Sequence, residues 1–442
     1  MISSRPMFWF GVCTMLFAGG WFAWRVWAAP TDSTSPVFLS IFFAMLLVVP
    51  AFWVASILPR VGATRRTLWT IILAAGVVRV LLLGVDPFLS DDLYRCLWDG
   101  QVQREGLDPY LAAPADPVFD PVAENSRWHS IRQQVNHPDV PTVYPPLSQL
   151  FFRVVAHTEF SWRFSMLCLD MILGGVLAVA LRRAGQDPRR AILWWWHPLP
   201  ILECAIGGHP EIIAVLLMTV AIVLLTANRG RMAAVAIGAA IVAKLLPVGW
   251  IPLLVRRGGG KVWVPLLITM LVLLVPFAGS DPGPASEGLR EYGSSWYSGD
   301  LLFRPLGELL GLNPEDRYSA GAQWLRGFLF LAWLAVAWHC RAVQPWRGFL
   351  LVSLAFALLS PTLHPWYLLW LLPAAIMERS RASMLLTCTI LFQYRVLDDW
   401  RALAVWELPA GTRALVFGVP LLLIIHQWWR ERAGQSSIPV KG

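Results

Sequence analysis

Apolar runs fill this chain from end to end, separated mostly by short basic connectors and interrupted by a few longer polar ones. A helix needs about 20 mostly apolar residues to cross a bilayer. Runs near that length cover 7–29, 36–58, 68–85, 160–181, 191–206, 211–227, 262–279, 324–340, 348–363, 366–377, 383–397 and 412–429. The pattern predicts an all-α integral membrane protein, a polytopic bundle of about 12 spans forming one domain over 1–442. The first run is too long and too rich in Trp for a signal peptide. It also lacks a small-residue cleavage site, so it reads as a retained helix.

The stretch 232–255 needs separate treatment. It is apolar, yet Arg229 and Arg231 precede it, Arg256 and Arg257 follow it, and Lys244 and Pro247 interrupt its middle. A single span would put one basic cluster on the far side. A re-entrant hairpin of two half-helices, with Lys244 near the turn, keeps both on one side. Irregular backbone is tolerated at membrane depth where it lines a polar cavity. The hairpin is the favoured reading, and a kinked span is the alternative.

Composition narrows the picture. The chain is 57% hydrophobic and only 14% charged, against roughly a quarter charged residues in soluble domains. A formal charge of +8 would suit a nucleic-acid binder, but the positive residues are scattered through connectors. They include Arg60, Arg65 and Arg66; Arg182, Arg183, Arg189 and Arg190; Arg379 and Arg381; and Arg430 and Arg432. Cytoplasmic loops carry such clusters, whereas a nucleic-acid face gathers them into one patch. No nucleic-acid partner is expected. With the hairpin, both termini are cytoplasmic, and the loops 86–147, 280–323 and 398–411 are extracytoplasmic. The six cysteines (Cys13, Cys96, Cys168, Cys204, Cys340, Cys388) show no paired spacing. They support neither a disulfide framework nor a zinc site.

Candidate chemistry concentrates in the first of those loops. Ser90-Asp91-Asp92-Leu93-Tyr94-Arg95 follows closely on the third apolar run. Acids at a membrane boundary are costly to keep dry and mark places where water and substrate meet the bilayer. Adjacent helical residues point about 100° apart. One of the two acids can therefore serve as general base while its neighbour caps the helix or binds a hydroxyl. The plain alternative is that Ser90 and the acids simply start a helix. The pair could hold a hard divalent cation, but no His or Cys companion supports a metal site, and no cofactor is expected. Tyr94, Arg95, Trp98 and Asp99 follow in the same segment, where Tyr and Trp are interfacial anchors or flat faces for a sugar. Tyr144-Pro145-Pro146-Leu147 reads as a rigid return turn, with Tyr144 a ligand contact.

Further along, Glu203 falls inside the run 191–206, where an unpaired acid is expensive. It is either functional or paired with Arg79 or Arg163, and Asp170 is a second partner for Arg79. His209 and Glu211 fall at an outer helix end, on the side of the acid pair. Lys244 would hold a cation deep in an apolar bundle, where a phosphate anion is a natural counter-ion; a snorkelling lysine is the alternative. Arg290, Arg304 and Arg395 are further cations on that side. The Pro-rich break at 360–367 carries His364, Trp366 and Tyr367, and His364 could donate a hydrogen bond or carry a proton near neutral pH.

These segments resemble a known family. Asp91-Asp92-Leu93-Tyr94-Arg95, Trp98-Asp99-Gly100, Gly106-Leu107-Asp108-Pro109-Tyr110 and Tyr144-Pro145-Pro146-Leu147 resemble the first outer loop of bacterial polyprenol-phosphate-mannose-dependent alpha-mannosyltransferases of the GT-C superfamily. The eukaryotic mannosyltransferases that build GPI anchors are similar in this loop. Softer likeness at 198–211, at Lys244 with Pro247, and at His364-Pro365-Trp366-Tyr367 spreads the resemblance over most of the chain. It implies a GT-C-type bundle in the cell (inner) membrane, an extracytoplasmic site and a lipid-phosphate sugar donor. It also implies a catalytic carboxylate in the first loop: Asp92 or Asp91, with Asp92 preferred. Lys244, Arg304 and Arg95 are then expected at the donor phosphate. Trp98, Asp99, Tyr144, His209, Glu211, His364, Trp366 and Tyr367 are expected at the substrates. The chain departs from the pattern at Cys96, where an aromatic is common, and at Pro210, in Gly-His-Pro-Glu where Gly-His-Asn-Asp is frequent. Those departures bear on the sugar and acceptor more than on the reaction class.

The expected reaction is transfer of a hexosyl unit, mannosyl by resemblance, from polyprenyl phosphate to a lipid or glycan acceptor with inversion. The rival from another class is a transporter or lipid-linked-sugar flippase. Broken helices suit such a protein, but no internal repeat is visible, and it would not need acids confined to one loop.

Overall fold

The computed structural model describes residues 4–28, 35–61, 64–312, 316, 318–403 and 405–435. The chain ends at 1–3 and 436–442, expected on the cytoplasmic side, lie outside these residues, as do 313–315 and 317 of the loop 280–323, expected outside. Among the described residues the regular elements are all helical, with one isolated bridge between Ser298 and Thr362.

Three helices open the chain: α1 (Ser4–Ala28), α2 (Pro36–Ile57) and α3 (Arg65–Leu82). Side-chain caps start two of them. Ser35 accepts from the Val37 N–H at 3.1 Å, and Thr64 accepts from the Thr67 N–H at 3.2 Å, each satisfying a donor the helix leaves open. Among the described residues five helical stretches are long and apolar enough to cross a membrane: Arg5–Val26, Val37–Ile57, Glu159–Arg183, Gly260–Phe277 and Ala320–Ala342. Shorter apolar helices lie at Glu211–Thr226, Gly230–Ile241, Pro345–Leu359 and Ala410–His426.

Several of the runs expected as spans are broken instead. The run 191–206 becomes short helices at Ile192–Trp195 and Pro198–Pro200 and a π-helix at Ile201–Ile206. Pro198 and Pro200 have no N–H to continue a ladder, which divides the segment. Runs 366–377 and 383–397 likewise alternate 3₁₀ and α turns, as at Pro365–Trp370 with Leu372–Glu378 and at Arg381–Thr389 with Ile390–Arg395.

The stretch 232–255 folds back on itself. Helices Gly230–Ile241 and Ile251–Gly258 flank Lys244 and a 3₁₀ turn at Leu246–Trp250. The far ends meet so closely that a Cβ on Gly230 would lie 2.9 Å from the Gly258 Cα. Only a residue without a side chain fits such an approach.

The core pairs its charges. Arg79 on α3 and Asp170 on the helix Glu159–Arg183 are both fully buried and form an ion pair. Arg79 also donates to the Trp195 carbonyl at 2.6 Å, and the Trp194 indole donates to Asp170 at 2.7 Å. Arg163 donates to the carbonyls of Ala205 at 2.8 Å and Leu82 at 2.7 Å, supplying partners to backbone that ends or breaks its own ladder. Arg79–Asp170 is the pairing the sequence suggests, and Arg163 satisfies backbone rather than Glu203. These bonds lock α3, the long helix and the broken segment into one block that carries the loops.

Candidate active site

The acid pair sits at the start of α4 (Asp92–Arg104). Ser90 Oγ accepts from the Asp92 N–H at 3.2 Å, and Leu93, Cys96 and Leu97 bury the inner face of the helix. α4 packs on the helix Pro146–Val155. Gly100 permits the contact, because a Cβ there would meet the Phe152 carbonyl oxygen at 2.6 Å.

Seven residues of helix carry Asp99 roughly 10 Å beyond Asp92, and its role follows from that depth. Arg95 Nε donates to its Oδ1 at 3.1 Å, while Thr142 Oγ1 and Gln149 Nε2 donate to its Oδ2 at 2.6 and 2.7 Å. Asp99 therefore brackets α4 to the returning chain. Trp98 is buried with its ring edge against Phe119. Neither lines the cavity described below, whereas Arg95 touches it while committed to Asp99 and to the Val140 carbonyl. The Gly106–Tyr110 motif is a turn: Asp108 accepts from the Tyr110 N–H at 2.9 Å, and the Tyr110 hydroxyl donates to the Tyr144 carbonyl at 2.6 Å.

The return turn docks directly on the fold-back. The Leu147 N–H donates to the Val242 carbonyl and Ser148 Oγ to the Ala243 carbonyl, both at 2.8 Å. That clamp fixes Lys244, whose Nζ donates to Glu211 Oε1 at 2.5 Å. The ammonium also stands over the rings of Tyr144 at 5.4 Å and Tyr367 at 5.6 Å, close enough for cation–π attraction.

The loops enclose a cavity of about 840 Å³. Asp91, Asp92, Tyr144, Lys244 and Tyr367 all line it. Asn136 Nδ2 donates to Asp92 Oδ1 at 2.7 Å, which orients that carboxylate and leaves its second oxygen for other partners. Burial in the cleft raises the Asp91 carboxyl above its usual value; the Asp92 charge adds to the rise, and Arg401 opposes it. The Arg401 guanidinium donates to the Phe88 carbonyl at 2.6 Å.

Trp366 forms the centre of a second wall. It stacks on His364, at 4.5 Å between ring centres, and on His209, at 4.0 Å. His364 lines the cavity, and burial, with the His209 and Lys244 charges beside it, pushes its ring down to about 3. His209 and Glu211 stand behind this wall, both buried. His209 Nδ1 is 2.8 Å from Glu203 Oε2, and the Tyr394 hydroxyl lies 2.8 Å from each Glu203 oxygen. Glu203 thus takes neither arginine as partner.

The second loop closes the cavity from above. Trp296 packs against His137 of the first loop, with ring centres 4.2 Å apart and planes tilted by 40°, and the Tyr292 hydroxyl bonds that of Tyr367. Arg304 lies outside the lining, engaged with Glu407 at 2.5 Å and over the Tyr297 ring at 5.1 Å. Asn136, Tyr292, Tyr394 and Arg401 line the cavity without any local signal in the sequence; assembly of distant segments brings them there. Among the described residues no three His, Cys, Asp or Glu side chains group as a metal cluster would.

Asp91 makes a stability prediction. Its raised folded value means that the native state binds a proton more tightly than the unfolded chain, so the ionised form costs stability. That cost is complete above the folded value and vanishes below the unfolded one. Asp91→Asn should therefore melt at a higher temperature than the wild type at pH 7, with the gap closing as pH falls below the ordinary carboxylate range. Thermal melts in detergent check this, and a lower neutral-pH melting point would contradict it.

No curated protein matches the chain, and no solved structure does. A family model described as alpha-(1->6)-mannopyranosyltransferase, N-terminal domain, matches residues 10–256. That is more than half of the sequence, and it contains the acid pair, the broken segment and Lys244. Taken with the membrane-length helices, the match means that this membrane protein belongs to the alpha-(1->6)-mannopyranosyltransferase family.

Proposed function

We propose that the cavity transfers a mannosyl unit from a polyprenyl-phosphate donor to a hydroxyl of a lipid or glycan acceptor, on the extracytoplasmic face of the cell (inner) membrane. The observation that carries this reading is that the acid pair and Lys244 open into one cavity. In this scheme Asp92 removes the acceptor proton as the hydroxyl attacks the anomeric carbon. The leaving group is an anionic lipid phosphate, so it needs charge stabilisation more than a proton, and Lys244 supplies it in a site shielded from water. The fold-back that carries Lys244 is re-entrant in the bilayer. One base and a direct displacement invert the anomeric centre, so a β-linked donor yields an α-mannoside.

Removing Lys244 alone would strand Glu211 as a buried carboxylate, which destabilises for a reason unrelated to the donor. The paired change Lys244→Met with Glu211→Leu avoids that. The double variant should melt near the wild type yet raise the donor KM by about 10- to 100-fold, the loss of one charge-assisted hydrogen bond to phosphate. Steady-state kinetics with labelled polyprenyl-phosphate mannose measures it. An unchanged donor KM would remove Lys244 from the phosphate site.

A further inference from the structure

The rim of the cavity carries two tryptophans that the transfer scheme leaves unused. Trp400 and Trp406 both line the cavity yet remain 48% and 41% exposed, with ring centres 5.9 Å apart and planes nearly perpendicular. Exposed tryptophans on a membrane protein are by default anchors at the lipid interface. This pair is placed differently, because the segment that bears it is tied across the mouth on both sides. Arg401, next to Trp400, donates to the Phe88 carbonyl at the approach to the acid pair, and the Trp406 indole N–H donates to Ser298 Oγ at 3.2 Å. The Arg401 charge is felt at Asp91, while Asp92 lies within electrostatic reach of Lys244. Asp91, Asp92, Lys244 and Arg401 line the same cavity as the two tryptophans.

From this shared lining and the two ties the geometry points to an acceptor subsite: Trp400 and Trp406 hold a saccharide ring of the acceptor by stacking at the cavity mouth, with its hydroxyl delivered inward to the acid pair. The inference rests on the transfer reading for the direction of delivery. An indole offers a flat apolar face to the C–H side of a sugar ring, and Arg401 stands beside it as a hydrogen-bond donor to ring hydroxyls. An alkyl chain would use the apolar faces but not the neighbouring guanidinium or the acids.

The test compares wild type, Trp400→Ala, Trp406→Ala and the corresponding Phe variants, with methyl alpha-mannopyranoside and octyl alpha-mannopyranoside as acceptor probes. Loss of one stacking contact should raise the acceptor KM by about 3- to 10-fold for both probes alike, with the donor KM unmoved and Phe restoring most of the loss. Ligand-observed NMR of methyl alpha-mannopyranoside without donor should show the same weakening. An acceptor KM and binding signal that ignore both Ala changes would overturn the subsite. A loss confined to the octyl probe would also overturn it, assigning the pair to an alkyl tail, as would a matching rise in donor KM. If methyl mannoside binds in a Trp-dependent way but no mannose arrives from polyprenyl phosphate, the donor reading fails and the subsite stands.

Discussion

Asp92→Asn should reduce mannosyl transfer by about a hundred- to ten-thousand-fold, the usual contribution of a positioned general base, with the protein still folded. The substitution is nearly isosteric, and an amide oxygen at position 92 can still accept from Asn136 Nδ2, which bonds Asp92 Oδ1 at 2.7 Å. Ser90 caps the backbone N–H of residue 92 whatever its side chain. What disappears is the capacity to take a proton from the attacking hydroxyl. Asp91→Asn should cost much less, because Asp91 lies at the mouth of the cavity, where the Arg401 charge acts on it. Asn136→Ala should fall between the two, since it frees the carboxylate to rotate without removing it. Initial rates at saturating donor, normalised to protein level, separate the three. Equal losses at 91 and 92 would mean that the acids act as a unit, and a loss at 91 alone would move the base there.

The second large effect concerns the frame. Arg79→Met should destabilise the protein by about 3–5 kcal/mol, because it leaves Asp170 as an uncompensated charge in a fully buried site. Asp170 would keep the Trp194 indole bond at 2.7 Å, but one neutral donor does not replace a guanidinium. The Trp195 carbonyl, which Arg79 bonds at 2.6 Å, would lose its partner as well. Replacing both members, Arg79→Met with Asp170→Leu, should recover most of the loss, since a packed apolar pair of similar volume often matches a buried ion pair. Thermal unfolding in detergent reads both changes. A single variant as stable as the wild type would show that the pair does not hold α3 to the long helix.

Much of this was legible in the sequence, and for physical reasons. Apolar runs that must satisfy every backbone group in lipid become helices, so α1, α2 and the helix Glu159–Arg183 lie within a few residues of their expected positions. Arg79 and Asp170 stood out because isolated charges in such runs need partners. The interruption of the helix around Lys244 is readable from Lys244 and Pro247 within an apolar run. The break of 191–206 was harder, since its prolines stop a helix without announcing the π-helix that follows. Trp98 and Asp99 were grouped with the acids by their closeness in sequence, yet two helical turns send them into the wall behind α4. Arg304 shares the loop side but is held by Glu407. Asn136, Tyr292 and Arg401 had no local signature at all, because nothing near them in sequence marks which distant carbonyl or carboxylate they will meet. They became visible only once three loops closed around one cavity.

In the proposed reaction this cavity takes mannose from a lipid phosphate and moves it with Asp92 as base. Purified protein in liposomes, given equal label as polyprenyl-phosphate mannose or as GDP-mannose together with a mannoside acceptor, tests it directly. Labelled alpha-mannoside should form from the lipid donor alone, and none from that donor with Asp92→Asn at equal protein level. Product from GDP-mannose, or undiminished lipid-donor transfer by Asp92→Asn, would contradict it.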